Sequence, residues 1–339
     1  MAGSLIFITG ATGFIGAQVV QDTVKAGHRA RLSVRREAQI EEVKSRYPSQ
    51  YASQLEFVVI PDISNADALR SALGDDVEYI FHIASPMPGA GSDFKTEYLG
   101  PAVKGTEAIL EAAAAAPNVK RVVIVSSLLA LMPLNGLQIP GLVIKAGDNS
   151  SINIDPDMAF PEGPGGNGPK YSASKILAHR ATLAWMQTHK PHFTLITLHP
   201  TFVLGHNLSQ TTPTPSGINA WLLHSLASGK PIVPAAFVDV RDVSLAHLRS
   251  LDAPVDPAAP LTEMLLPGPA TTWPEIARFV KEKYPALVNT LDVEAKYNTP
   301  FKADSARTER DLGITWRGAE EYLSSLVEQQ VQLRARAGL

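Results

Sequence analysis

The chain has 339 residues, with 30 basic and 33 acidic side chains and a formal net charge of −3 at pH 7. That length can bury one large core or a core plus a smaller lobe, and no basic stripe interleaved with aromatics points to a nucleic-acid partner. Cysteine is absent, which removes disulfides, thiolate catalysis and cysteine-ligated metal and fits a reducing compartment.

Residues 1–8 are apolar but lack a basic leader and run directly into glycines. They read as a buried strand over 5–8 and not as a signal peptide. A helical pattern follows from Phe14 to Lys25 and stops at Gly27. Arg29–Val34 and Leu55–Val59 read as the second and third strands, and residues 79–82 and Arg121–Val125 as the fourth and fifth. An Ala-rich helix over 103–116 separates the last two, and a helix beginning near Tyr171 leads to another strand over 193–198. Strands without polar alternation, separated by helices, predict an α/β fold of the Rossmann type: a doubly wound parallel sheet whose ligand sits at the strand C-terminal ends. Pro-rich stretches at 211–215 and 253–260 read as surface connections. Helical patterns over 218–226, 273–284 and 320–333 predict a smaller C-terminal substrate-binding lobe. The expected division is 1–200 and 201–339, with about 237–250 returning to the core. No apolar run approaches the roughly 20 residues of a bilayer span, so a soluble, cytoplasmic protein is expected.

The first strand and helix are joined by Thr9-Gly10-Ala11-Thr12-Gly13-Phe14-Ile15-Gly16. Glycines there permit a tight turn and let backbone N–H groups approach a pyrophosphate at the helix N-terminus. The spacing is G-x-x-G-x-x-G, not the common G-x-G-x-x-G. A purely structural turn is the alternative, and the strand–loop–helix context favours dinucleotide binding. The second strand ends in Val34-Arg35-Arg36 and not in an acidic residue. Guanidinium groups at that point suit a ribose 2′-phosphate, hence NADPH over NADH, although arginines after a strand are also ordinary solvated charges. Asp62-Ile63, after the third strand, either brackets the adenine or forms a simple turn.

Tyr171 and Lys175 stand at i and i+4, so a helix presents them on one face. An ammonium beside a phenol favours the phenolate electrostatically, which equips the pair for acid–base chemistry on a carbonyl. Ser126 and Ser127 end the fifth strand, where a hydroxyl can orient a carbonyl oxygen. Successive strand residues point to opposite faces, so only one of the two can face the site.

These blocks resemble the extended short-chain dehydrogenases/reductases. The stretches starting at His82 (His-Ile-Ala-Ser-Pro86), Pro101 (Pro-Ala-Val-Lys-Gly-Thr106), His199 (His-Pro-Thr-Phe-Val-Leu-Gly205) and Phe237 (Phe-Val-Asp-Val-Arg-Asp-Val243) are similar to the dihydroflavonol reductase-like branch, above all to yeast and fungal aldehyde and ketone reductases. The resemblance covers residues 5–250 in the family's order. It implies a small-molecule carbonyl substrate, Ser127 as catalytic serine, Tyr171 as proton donor, and Lys175 as its activator and ribose ligand. It also implies a cofactor site of Thr9, Gly10, Thr12, Gly13, Phe14, Ile15, Gly16, Arg35, Asp62, Ile63, Ala84, Ser85, Lys175, Pro200 and Phe202. Two alternatives share the fold: a cofactor-retaining epimerase or dehydratase, and a non-catalytic NADP sensor. Ala102, where the sugar-nucleotide epimerases usually carry Asn, counts against the first. The complete Ser–Tyr–Lys set counts against the second.

The stretch 128–168 is longer than in the family at large. Its apolar residues, among them Leu128, Leu131, Met132, Leu134 and Leu137, predict either a segment that lines or lids the site of a hydrophobic substrate or a surface hairpin packing on itself. His179, His189 and His192 have no metal-ligand spacing and no evident carboxylate cluster, so no metal site is expected. Asp239-Val240-Arg241-Asp242 reads as a structural charge network. The C-terminal helix packs either on the lobe or on a second subunit, which leaves monomer and homodimer open.

Overall fold

The computed structural model describes residues 3–85, 93–297 and 301–338; Pro86, part of one family-like stretch, lies outside them. Seven parallel strands form the main sheet in the order β10-β7-β5-β4-β1-β2-β3. They are β1 (Leu5–Thr9), β2 (Arg29–Val34), β3 (Leu55–Val59), β4 (Val77–His82), β5 (Arg121–Val125), β7 (Thr194–Pro200) and β10 (Thr262–Leu266). The short β6 (Val143–Ile144), β8 (Phe202–Leu204) and β9 (Phe237–Asp239) lie outside this sheet. The strand order reverses between β1 and β4, the switch point beside which open α/β sheets bind ligands.

Helices cover both faces: α1 (Phe14–Lys25), α2 (Ala38–Lys44), α3 (Ala66–Leu73), α4 (Gly100–Ala114), α5 (Asn167–His189) and α7 (Val240–Arg249), whereas α6 (Gly217–Ser228) belongs to the C-terminal lobe. Val19, Val20 and Val24 of α1 pack with Ile6, Ile8 and Leu32 on one side. Leu5, Phe7 and Ile80 pack with Leu69, Ile109 and Leu110 on the other. Alternate residues of β1 therefore feed two separate cores, which is why the strand lacks polar alternation. The bounds of α1, β2, β3 and β5 are those the sequence predicts. The helix that carries Tyr171 starts earlier than expected, at Asn167, and the last sheet strand comes from Thr262–Leu266, just after a Pro-rich connection.

The remaining elements are α8 (Trp273–Lys283), β11 (Lys302–Ala303), α9 (Ala306–Leu312) and α10 (Ala319–Arg336). A third core joins Leu222 and Leu226 to Phe237, Trp273, Ile276, Tyr322 and Leu326. Trp273 sits edge-on to Phe237 at 5.7 Å and donates Nε1–H to the Val233 carbonyl at 3.0 Å. Thr272 and Glu275 close a capping box at the start of α8. Leu326 and Leu333 of α10 are buried in this lobe, while Val331 is exposed. The 239–242 segment is a charge network, as expected: Asp239 caps α7 and pairs with Arg241, and Asp242 pairs with Arg317. Among the described residues no helix is long and apolar enough to cross a membrane.

Three fully buried histidines couple this fold to pH. Burial pushes His82 down to about 4, with the Lys175 charge adding to it. It pushes His247 down to about 4 and His199 to about 3. His247 donates Nδ1–H to the Val243 carbonyl, and its Nε2 has no partner, so a second proton there would be unsolvated. Imidazoles in the unfolded chain titrate near 6.5. Below that pH the unfolded state binds more protons than the native one, and stability falls. The expected slope is roughly 1.4 kcal/mol per pH unit for each histidine between about pH 6 and 4. Urea midpoints across that range, with His247→Gln flattening the slope by about a third, would check it.

Candidate active site

The glycine loop is built from three glycines with different reasons. Gly10 has φ +76°, and a Cβ there would stand 2.7 Å from the Ala84 amide nitrogen, so it permits both the left-handed turn and the close approach of the loop after β4. A Cβ on Gly16 would meet the Gly10 carbonyl oxygen at 2.0 Å, so Gly16 lets α1 pack onto its own loop. Gly13 differs. It is exposed, and an added Cβ would meet only the Gly10 oxygen, at 3.5 Å. The protein's own packing does not require glycine here. The space over the first turn of α1, whose N-cap makes no side-chain hydrogen bond, is therefore open, as backbone contact with a pyrophosphate demands. These residues fit a dinucleotide.

Thr9 is wholly buried. Its hydroxyl accepts from the Ala84 amide and shares a hydrogen bond with His82 Nδ1, both at 3.1 Å, which ties the ends of β1 and β4 together. Arg35 and Arg36 are exposed at the end of β2, and their backbone N–H groups are held by Gln39 Oε1. Among the described residues neither guanidinium makes an ion pair. Arg46, which the sequence reading passed over, reaches the same loop: its Nη1 donates to the Thr12 carbonyl at 3.1 Å, and it pairs with Glu42. Asp62 forms a turn after β3. Its Oδ1 accepts from the Ser64 amide and hydroxyl, and these bonds hold its carboxyl below the usual range. Pro200 ends β7 and is buried. Phe202 lies in β8 against the C-terminal lobe.

Tyr171 and Lys175 lie one turn apart on α5, with Nζ 5.4 Å from the phenol ring centroid. Lys175 is buried and donates to Ser85 Oγ at 2.8 Å, which fixes the ammonium between α5 and the end of β4. A cleft of about 520 Å³, counted with its open mouth, runs beside it. Ile63, Ala84, Ser85, Ser126, Lys175 and His179 are among its walls. Ser126 thus faces this cleft. Neither Ser127 nor Tyr171 is among those walls; Ser127 caps the tight turn Leu128–Leu131, its Oγ accepting from the Leu129 amide at 3.2 Å. Asn149, also missed from sequence, joins that turn to α5 by donating to the carbonyls of Ala130 and Ile176 at 2.8 and 3.0 Å.

The stretch 128–168 is neither a free lid nor a self-packed hairpin. Its β6 pairs in parallel with β11, Lys302 opposite Val143. Leu128, Leu131, Met132 and Ile144 pack against Leu265 of β10 and Phe301. Arg180 of α5 donates to the Asn149 and Ile152 carbonyls. The expectation that no carboxylate accompanies the histidines needs correction for His179: Glu263 of β10 lies 2.7 Å from its Nε2, and His199 stands close by. Glu263 comes from a strand the sequence reading did not recognise. Both Glu263 oxygens and both His199 nitrogens already have hydrogen-bond partners.

Comparisons with known proteins agree with this architecture. Residues 6–261 match the model of the NAD dependent epimerase/dehydratase family. A protein of Aspergillus fumigatus named ketoreductase sphI is 38% identical, over 98% of this chain and 99% of its own. Aldehyde reductase 2 of Sporidiobolus salmonicolor is 29% identical, over 96% of this chain and 95% of its own. The crystal structure of Gre2 from Candida albicans in complex with NADPH superposes with a TM-score of 0.84 at 23% identity, covering 97% of this chain and 99% of that one. With the sheet, the glycine loop and a relative aligned from end to end, the chain belongs to the NAD dependent epimerase/dehydratase family, within the extended short-chain dehydrogenases/reductases, and is an NAD(P)-dependent oxidoreductase of CH–OH and C=O groups.

Proposed function

We propose that the protein is an NADPH-dependent carbonyl reductase, taking an aldehyde or ketone to the alcohol with Ser127, Tyr171 and Lys175. The observation that carries this reading is the fixed ammonium of Lys175, held by Ser85 at the end of β4 and one turn from Tyr171 on α5. NADPH, when bound, supplies the hydride to the carbonyl carbon. The Ser127 hydroxyl donates a hydrogen bond to the carbonyl oxygen and orients it. Tyr171 gives its phenolic proton to that oxygen as the C–H bond forms, and Lys175 stabilises the phenolate that remains. Gly10, Gly13 and Gly16 leave backbone N–H groups for the pyrophosphate. The similarity to a ketoreductase and an aldehyde reductase supports the same direction of chemistry.

Apolar groups packed with Tyr171, among them Phe94, Tyr98, Leu134, Ile154 and Phe160, support a hydrophobic substrate. Purified protein mixed with NADPH and a panel of aryl and alkyl ketones and aldehydes, followed by cofactor absorbance, tests the reading. No turnover across the panel would overturn it.

Arg35 is assigned the 2′-phosphate of NADPH, beside Arg36. A lost charge-assisted contact of this type costs roughly 1.5–3 kcal/mol. Arg35→Ala should therefore raise KM for NADPH by about 10- to 100-fold while changing that for NADH less than about threefold. Steady-state kinetics with both cofactors would decide it.

A further inference from the structure

Behind the strand-end serine lies a buried polar cluster that the proton transfer from Tyr171 does not use. His199 of β7 is fully buried, with Nδ1 3.0 Å from the Ser127 carbonyl oxygen and Nε2 2.9 Å from Thr197 Oγ1. A carbonyl oxygen only accepts, so Nδ1 carries the proton and Nε2 accepts from the threonine hydroxyl. Burial and the neighbouring His179 keep His199 neutral, its pKa pushed down to about 3, which leaves this single tautomer. The same carbonyl accepts from the Ala130 amide at 3.0 Å. One bond thus comes from the serine's own turn and the other from a neighbouring strand.

The His199 ring is itself held. It stands edge-on to His179, centroids 4.8 Å apart at 88°. His179 bonds Glu263 Oε1 at 2.7 Å, and the other Glu263 oxygen accepts from the Gly147 amide. Buried groups from α5, β7 and β10 converge here, joined by the Gly147 amide of the 128–168 stretch. Stability alone is a weak reason for such a cluster, because well-packed apolar side chains of similar volume serve at least as well. A polar cluster that ends on the backbone of the strand-end serine instead supplies orientation.

We propose that His199 is a positioning residue for carbonyl reduction. Its Nδ1–H fixes the Ser127 peptide so that the serine hydroxyl meets the substrate oxygen, and the His179–Glu263 pair holds the imidazole in that orientation. The proposal rests on the reductase reading, since it gives Ser127 a substrate to orient. His199 touches neither Tyr171 nor the glycine loop, so its loss acts on kcat and not on cofactor affinity.

The test compares His199→Leu, which removes the donor, with His199→Asn, whose side-chain amide can donate from near the Nδ1 position. Misplacing a reacting group by about 1 Å can cost on the order of 100-fold. His199→Leu is expected to lower kcat at least about tenfold with NADPH affinity unchanged, and His199→Asn to recover to within about threefold of wild type. Equal impairment of both, or NADPH binding lost in step with kcat, would make the role merely structural and overturn the proposal. Should His199→Leu fail to fold, Glu263→Gln keeps the shape of the cluster and removes its charge. A reduced kcat at unchanged NADPH affinity then supports the proposal, and an unchanged kcat overturns it. Ser127→Ala in the same panel separates the two levels. An active Ser127→Ala sinks the assigned role of the serine and this proposal with it, whereas an inactive one beside a fully active His199→Leu sinks only the positioning role.

Discussion

Tyr171→Phe is expected to lower kcat by about 10³-fold while NADPH affinity stays within about threefold of wild type. The substitution removes one oxygen and leaves the ring, which packs against the cluster of Phe94, Tyr98 and Ala173, so the fold has no reason to respond. The Lys175 ammonium, held by Ser85 independently of the phenol, keeps its place and continues to serve the cofactor. A general acid contributes on the order of 10²–10⁴ in rate. Single-turnover kinetics with saturating NADPH, together with a fluorescence titration of cofactor binding, would separate the lost proton transfer from lost binding. An active Tyr171→Phe would remove the tyrosine from the mechanism.

The second large effect concerns two glycines three residues apart. Gly16→Ala places a methyl 2.0 Å from the Gly10 carbonyl oxygen and 3.0 Å from Ala11 Cα, both backbone atoms of the turn. Relief requires α1 to move off its loop. A destabilisation of about 3 kcal/mol is expected, at the upper end for overpacked sites, and cofactor binding should fall with it. Gly13→Ala has ordinary extended dihedrals, φ −90° and ψ 179°, and meets only the Gly10 oxygen at 3.5 Å. Its stability should stay within about 0.5 kcal/mol of wild type. Its methyl stands where the pyrophosphate approaches, so NADPH should bind at least about tenfold more weakly. Urea denaturation and NADPH titration of both variants distinguish packing from ligand contact. A Gly13→Ala protein that binds NADPH normally would show that the loop does not seat the phosphates.

The contrast between these glycines also shows what a sequence can reveal. All three sit in one legible pattern because the strand–turn–helix junction is local, and β1, α1 and β2 follow from consecutive residues. The separate duties of Gly10 and Gly16 become visible only when Ala84 and the start of α1 are in place. Glu263 is a harder case. A carboxylate in the short strand Thr262–Leu266 blurs its apolar pattern, and its reason for being buried is His179, on a helix far away in the chain. Asn149 and Arg46 act through backbone carbonyls of distant segments, and no residue pattern announces such partners. The 128–168 stretch offered only its own hydrophobicity, whereas its placement depends on Leu265, Phe301 and β11.

The pairing of β6 with β11 sets an order of events during synthesis. Val143 waits for Lys302, and the segment around Leu128 waits for Leu265, so the surroundings of the strand-end serine stay incomplete until residue 302 has left the ribosome. Strands β1 to β4 have all their sheet neighbours within residues 1–125 and can assemble while translation continues. A nascent chain halted before residue 260 would therefore carry a formed glycine loop but an unfinished Ser127, with the apolar side chains of 128–144 exposed to chaperones or to other chains.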